Sequence, residues 1–454
     1  MKKIVLTLIA AMTFAWQGSS FAASSVDALI QKLEDKGILT DQDAAQLKDE
    51  IAYKEQDSQQ TTFKTLLPDW LNSMKVSGDF RLRDQLQVRK VPGGTSPGGD
   101  NLDRNRGRFR ARLNFEDQIN DKMKVIFGIA TDGEGSGFPG NDRSNNITFG
   151  GNAGSEGTFN KSALVLNKAY AVYTPSSWAT LIGGQMDNPI WEPASLLWDP
   201  DITPIGGAVQ FQKRINDLVT PFSTNAFFVL KDNTPSLSAT GTKTDPYMFV
   251  SQEGIKGNLT DKVYYKAAGS YYQINNPNRV QLDNSLTTNS TQAPNTGAGG
   301  IYQYNYYLAG GAVELGMNDP FGDILPSPIY IPQIGVFGEF FRNIDLNTSQ
   351  QPNAWGIGGY IGNSSINGWG TWKVQSYYKV LERDSWVDAL PDDDFYSGDT
   401  DTKGWRSQMD IGLAKNVWFT MSYFRTNVFK YFGTGAFSKS APEDLFQMDL
   451  NMKF

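Results

Sequence analysis

Arg104, Arg106, Arg108, Arg110 and Arg112 occupy alternate positions of one segment, with Phe109, Ala111, Leu113 and Phe115 in the other register. Period-two alternation puts one set on each face of a strand, so one face is a ladder of guanidiniums and the other is apolar. The preceding segment adds Arg81 and Arg83 against Phe80 and Leu82. A guanidinium stays charged at any physiological pH and forks toward carboxylate or phosphate, so the chemistry on offer is the steering and binding of ions. Covalent chemistry is poorly supplied. The chain has no His and no Cys. That removes Ser-His-Asp and Cys-His sites, the commonest general base near neutral pH, and the usual zinc and haem ligand sets. No enzyme, cofactor or metal is expected.

A second group of candidates lies in 187–204, where Asp187, Glu192, Asp199 and Asp201 mix with Trp191, Trp198 and four prolines. Such a composition predicts a folded loop. Bent inward, it would set Glu192, Asp199 and Asp201 against arginines across a constriction, with Trp198 beside them. Opposed charges at a narrowing filter polar solutes. Asp392, Asp393 and Asp394, with Asp384, Asp388, Asp399 and Asp401 nearby, form an acidic stretch. Oxygen ligands suit Ca²⁺, but the Gly and Glu spacing of an EF-hand is missing, and a solvated outer loop is the expectation.

These side chains need elements to hold them. Sixteen alternating segments run from 75–89 to 444–454, an even number, as single-chain bacterial barrels require. Tight turns such as 120–121, 175–177, 260–261 and 415–416 alternate with long polar stretches. That is the rhythm of an antiparallel transmembrane barrel with short periplasmic turns and long outer loops. Ten or so tilted residues cross a hydrocarbon core of about 30 Å. Arginine at the lipid midplane costs about 2–4 kcal/mol, so the ladder must face water inside the barrel. Arg81, Arg83, Arg106, Arg108, Arg110 and Arg112 are therefore expected to line the pore. Tyr170, Tyr173, Trp178, Tyr264, Tyr265, Tyr271, Tyr272, Trp369, Trp372, Tyr377, Tyr378, Trp418 and Tyr423 fall near strand ends, where interfacial girdles sit.

Both ends of the chain read as export and assembly signals. Lys2-Lys3, an apolar run from Ile4 to Ala15 and Ser20-Phe21-Ala22 compose a secretory signal over residues 1–22. Residues 23–74 read as a short periplasmic helical leader. Val26, Leu29, Ile30 and Leu33 recur at helical spacing, and Gly37 is a stop signal. The barrel occupies 75–454. Its last segment alternates Phe446, Met448, Leu450, Met452 and Phe454 with Gln447, Asp449, Asn451 and Lys453. It resembles the closing strand of bacterial outer-membrane barrels, whose terminal Phe is read by the barrel-assembly machinery. The formal charge is −7, or −9 without Lys2 and Lys3. No basic footprint for nucleic acid results.

Residues 183–189 (Gly-Gly-Gln-Met-Asp-Asn-Pro), followed by Leu196, Leu197, Trp198 and Asp199, resemble a strand-to-loop signature of the Gram-negative family named putative porins. Leu381 to Trp386, Asp393-Asp394-Phe395 and the stretch 398–404 are similar to it as well, as is the leader around 36–40. The resemblance implies a pore for passive diffusion of small hydrophilic solutes or ions, surrounded by outer-membrane lipid, and a homo-oligomer, with a trimer as one form. A sheath around a periplasmic or electron-transfer partner, and a receptor or adhesin acting through its loops, are the alternatives. A weak anion preference is expected, because most acids are assigned to outer loops far from the ladder.

Overall fold

A computed structural model describes residues 74–90, 101–131, 143–151, 162–232, 245–275, 295, 297–298, 301–324, 330–430 and 442–454. The signal read over 1–22 and the leader read over 23–74, save its last residue, lie outside them.

The first eight long strands are β1 Lys75–Lys90, β2 Asn101–Asn120, β3 Met123–Thr131, β4 Leu164–Ser176, β5 Ala179–Gln185, β6 Ile205–Gln212, β7 Thr220–Val229 and β8 Tyr247–Asn258. The second eight are β9 Val263–Asn275, β10 Tyr306–Asn318, β11 Gln333–Asn343, β12 Asn353–Gly362, β13 Trp372–Leu381, β14 Thr402–Ala414, β15 Val417–Val428 and β16 Glu443–Lys453. Every strand pairs antiparallel with its chain neighbours, and β16 returns to β1, from Asp79 opposite Lys453 to Arg89 opposite Glu443. The sheet is a closed sixteen-stranded barrel. A two-residue inset, Ile147–Thr148, lies against Arg108 and Phe109 of β2. Among the described residues no helix is long and apolar enough to cross a membrane.

Closure continues past the last ladder pair. Gly78 N–H donates to the Phe454 carbonyl at 2.9 Å, and Phe454 N–H donates to the Gly78 carbonyl at 3.1 Å. A Cβ at position 78 would collide with the Phe454 ring, so glycine is the residue that lets the ring lie over β1.

Alternation sorts side chains by face. Phe127, Leu181, Phe227, Phe340, Ile357 and Trp405 are exposed on the outer surface. Their neighbours one residue away along the chain, such as Ile126, Phe228 and Phe341, are buried inside. A continuous apolar outer surface of this kind fits hydrocarbon, because water would make it an aggregation site. The expected aromatic girdles are divided by the same rule. Tyr173, Trp178, Trp369 and Tyr423 are exposed, but Tyr272 and Tyr377 are buried in the interior. Adjacent residues such as Tyr271 and Tyr272 cannot share a face, so half of the aromatic pairs had to turn inward.

The interior is not empty. Met186, Ile190, Leu196, Leu197, Trp198 and Ile202 pack with Phe228, Met248, Val250, Tyr272, Leu308, Phe341 and Trp386 in one apolar cluster. It fills one side of the barrel and leaves the arginine wall on the other. Ile357 lies near the middle of β12 with 61% of its surface exposed. Replacing it by Arg should cost about 2–4 kcal/mol if that face meets lipid. A urea titration of the vesicle-inserted protein measures this, and a shift near zero would place the face in water.

Candidate functional site

Register on β1 and β2 sets the arginines almost in contact. Arg81 is opposite Arg110, Arg83 opposite Arg108, Gln85 opposite Arg106, and Asp79 opposite Arg112. Like charges facing each other across a ladder destabilise a sheet. Carboxylates from three other parts of the chain offset this. Arg83 donates through Nε and Nη2 to both oxygens of Asp449 at 2.8 and 2.9 Å, and through Nη1 to Asp394 at 3.1 Å. Arg110 and Arg112 reach Asp79 at 2.9 and 2.8 Å, and Asp201 at 3.3 and 3.2 Å. Arg81 donates to Asn146 Oδ1 at 2.6 Å and lies 3.8 Å from Asp449. Arg108 donates to Gln85 Oε1 at 3.3 Å. Arg83, Arg108 and Arg110 are buried. Four carboxylates, Asp79, Asp201, Asp394 and Asp449, thus offset part of the ladder's charge, more than the sequence reading assigned to its neighbourhood.

Residues 186–204, between β5 and β6, bend into the barrel as expected, but only Asp201 meets the arginines. Asp199 instead accepts from the N–H groups of Asp201 at 2.7 Å and Asp393 at 2.9 Å. Glu192 accepts from Leu197 N–H at 3.4 Å, within its own loop. Asp187 pairs with Lys168 at 2.6 Å and accepts from Tyr170 at 3.0 Å, at the loop's root. Packing decides this. Leu196, Leu197 and Trp198 must bury against Phe228 and Trp386, and that anchoring turns the flanking acids. Gln252 pins the other arm, accepting from Trp191 N–H at 3.0 Å and donating to its carbonyl at 2.9 Å.

The stretch 382–401 is a second inward loop, not the solvated outer cluster expected. Asp384, Asp388, Asp392 and Asp401 are all buried. Trp386 is fully buried, donates its indole N–H to the Leu197 carbonyl at 2.9 Å, and meets Trp198 and Tyr272 edge-on. Lys379, fully buried on β13, donates to the Ser195 carbonyl at 2.9 Å and lies 4.2 Å from the Phe395 ring centre. One lysine thus ties both loops to the wall. Arg406 on β14 pairs with Asp392 at 3.3 Å. Trp386 among so many acids was the available signal for this loop, since a tryptophan in a solvated stretch has no partner to bury against.

Asp199, Asp392 and Asp393 bring carboxylate oxygens within 4.8 Å of one another, the best grouping for a hard cation among the described residues. Backbone N–H groups on Asp199 and the Arg406 guanidinium on Asp392 already serve those oxygens. Beside them, a cavity of about 300 Å³ opens between the first loop and the β13–β14 wall, lined by Glu192, Asp199, Gln375, Tyr377, Arg406 and Gln408.

A closed barrel with two inward loops and a paired arginine wall is the geometry of a channel. The family model described as Putative porin matches residues 91–304 and 338–454. The chain belongs to that family. No curated protein matches it. Among solved structures, a multiply substituted porin of Rh. blastica is similar at 12% identity and a TM-score of 0.40, over 84% of this chain and all of that one. A triple mutant of the Rhodopseudomonas blastica porin is similar at 10% identity and a TM-score of 0.39, with the same coverage. These likenesses are too distant to carry residue roles.

The porin's two loops meet through carboxyls whose protonation is unusual. Burial raises Glu192 to about 8, and burial together with Asp394 and Asp392 raises Asp393 to about 8. Asp199 rises for the same reasons, burial first and then Asp393 and Asp392. Asp394 goes the other way. Burial raises it, but the guanidiniums of Arg83 and Arg108 outweigh that and hold it at about 2.

The sign follows from proton counting. Between about pH 4 and 8 the folded loops bind protons at Glu192 and Asp393 that the unfolded chain has lost, so their contribution to stability falls as pH rises. Asp394 contributes above its unfolded value near 4 and is lost only as pH falls toward 2. The porin's loop clamp should therefore loosen as pH rises from about 4 to 8. Single-channel recordings should show more open-state current noise at about pH 8 than at about pH 5, and Asp393→Asn should remove most of that difference. Identical noise at both pH values in the unsubstituted protein would refute it.

Proposed function

We propose that this porin passes small hydrophilic solutes and ions by passive diffusion through the outer membrane of a Gram-negative bacterium, by way of the interior that the two inward loops narrow. The observation that carries this reading is the division of faces. Aliphatic and aromatic residues cover the outside, while Arg83, Arg110, Asp79, Asp201 and Asp449 form an ionic cluster within. Of Arg81, Arg83, Arg106, Arg108, Arg110 and Arg112, the partly exposed Arg81, Arg106 and Arg112 are the proposed lining, and the buried Arg83, Arg108 and Arg110 act on the ion from behind it. Asp201 is the constriction residue that faces them, and Glu192, Asp199 and Trp198 set the loop's position. Because carboxylates offset part of the ladder's charge, the anion preference it supplies is weak.

A sheath around a threaded protein is disfavoured by the apolar cluster and paired loops that already occupy the interior. In this reading residues 1–22 direct export and are removed, 23–74 form the periplasmic leader, and Phe454 serves as the signal for the barrel-assembly machinery.

Protomer association has its own support. Glu253 lies near the middle of β8 in the register of the exposed Phe249, and so on the outer face. It accepts from Ser223 Oγ at 2.8 Å, and Asn225 donates to Ser223 Oγ at 2.9 Å. Gly269 and Gly311 follow at the same level on β9 and β10. A carboxylate at that depth is poorly served by lipid, and small residues allow a second protomer to approach closely. Glu253→Arg should dissociate the detergent-solubilised oligomer, measured by light scattering, with little change in the strand signal of circular dichroism. An unchanged oligomer mass would remove this face from the interface.

Planar-bilayer recording of the purified protein tests the channel itself. Replacing Arg108 and Arg110 by Ala removes two positive charges and, through Arg110, leaves Asp79 and Asp201 with fewer partners, so the reversal potential should move toward cations. A shift on the order of 10 mV is expected, out of the roughly 59 mV that a tenfold salt gradient allows for a monovalent ion. No shift would mean that the permeating ion does not pass this wall.

A further inference from the structure

We propose that the porin holds a solute-binding subsite on the periplasmic side of its first inward loop, built to take a hydroxylated carboxylate such as a sugar acid. The inference rests on the channel reading above and names a solute class for it. A cavity of about 310 Å³ lies between the loop and strands β6 to β9, where Trp191, Phe222, Lys256, Lys266, Gln210 and Thr224 meet.

The two lysines supply the charge. Lys256 and Lys266 are direct partners across β8 and β9, in the register of Gln252 and Ser270, whose side chains contact each other inside the barrel. Like charges placed opposite each other are unfavourable. The arginines of β1 and β2 answer that problem with carboxylates, but neither lysine forms an ion pair with a carboxylate among the described residues. Glu314, the partner of Lys266 on β10, accepts a hydrogen bond from Tyr360 at 2.6 Å instead. Lys266 Nζ is drawn over the rings of Trp191 and Phe222, 4.2 and 5.0 Å from their centres. A cation pair left without a carboxylate beside it is a site for an incoming anion.

The remaining walls select the body of that anion. Trp191 and Phe222 stand edge to face with centres 6.5 Å apart, an apolar corner suited to the C–H face of a sugar ring. The corner is held rigidly, because Gln252 bonds both backbone groups of Trp191 and Gln210 donates to the Pro189 carbonyl at 3.3 Å. Thr224 and Gln210 line the same space and can serve hydroxyl groups. Charge, an aromatic corner and short polar side chains together describe a carboxylate that also carries hydroxyls.

Current block in planar bilayers tests this, with D-glucuronate as the probe and block expressed as a fraction of each channel's own current. Glucuronate should interrupt the chloride current of the unsubstituted porin, and glucose at the same concentration should not. The double variant Lys256→Gln/Lys266→Gln should need about tenfold more glucuronate for half block, the scale expected for losing a charged hydrogen bond. Lys256→Arg/Lys266→Arg should keep most of the block. Equal block of the Gln variant and the unsubstituted porin, or glucose blocking as well as glucuronate, would overturn the subsite. An open channel that glucuronate never interrupts would overturn the subsite alone, whereas no conductance at all would take the channel reading with it.

Discussion

The return of β16 to β1 is the constraint on which the rest of this molecule depends. A strand in hydrocarbon has no water to satisfy its backbone, so a spanning sheet must leave no edge. Once the sheet closes, each strand has one face toward lipid and one toward the interior, and period-two alternation becomes compulsory. Phe446, Met448 and Leu450 then belong outside, and Gln447, Asp449 and Asn451 inside. Gly78 lets the same closure run to Phe454. The arginine ladder is a consequence. It has only one permitted face, and that face crowds Arg81, Arg83, Arg108 and Arg110 together.

Crowding of that kind determines what else must enter the barrel. A buried guanidinium without a carboxylate is far costlier than a buried pair. Asp449 comes from β16, Asp79 from β1, Asp201 from the first inward loop and Asp394 from the second. Two of these four lie on loops, so the loops are as much part of the wall's electrostatics as the strands. Their own anchoring is apolar. Trp198 and Trp386 pack edge to face, and Lys379 reaches from the wall to the Ser195 carbonyl. Ionic contacts hold the loops to one side of the barrel, and apolar contacts hold them to the other. Together the two kinds of contact narrow the interior through which solute passes.

This arrangement also explains why net charge is a poor guide to selectivity here. The negative sum over the chain says nothing about a lumen in which Arg83 touches two aspartates and Lys256 faces Lys266. Fields at such short range, in a medium poorer in water than bulk, are set by the nearest few groups.

Much of the fold was legible from residue order alone. Sixteen alternating segments, the turn rhythm and the inward face of the arginines all rest on period-two geometry and on the cost of charge in lipid, which act locally along a strand. The site was legible only in part. Asp201 facing Arg110 and Arg112 was expected, and Asp199 and Glu192 turning away was not. The inward fold of 382–401 was missed, because its acids look solvated until Trp386 is seen buried against Trp198. Tyr272 and Tyr377 were placed outside for a similar reason, since register one residue either way reverses the face. The sequence by itself determined which residues could share a strand face and which faces could meet lipid, because those rules depend on neighbours one or two positions away. Only the tertiary structure decided which carboxylate reached which guanidinium, and which lysines were left without one. Those pairings join residues hundreds of positions apart, and packing of the loops against the wall chooses among them.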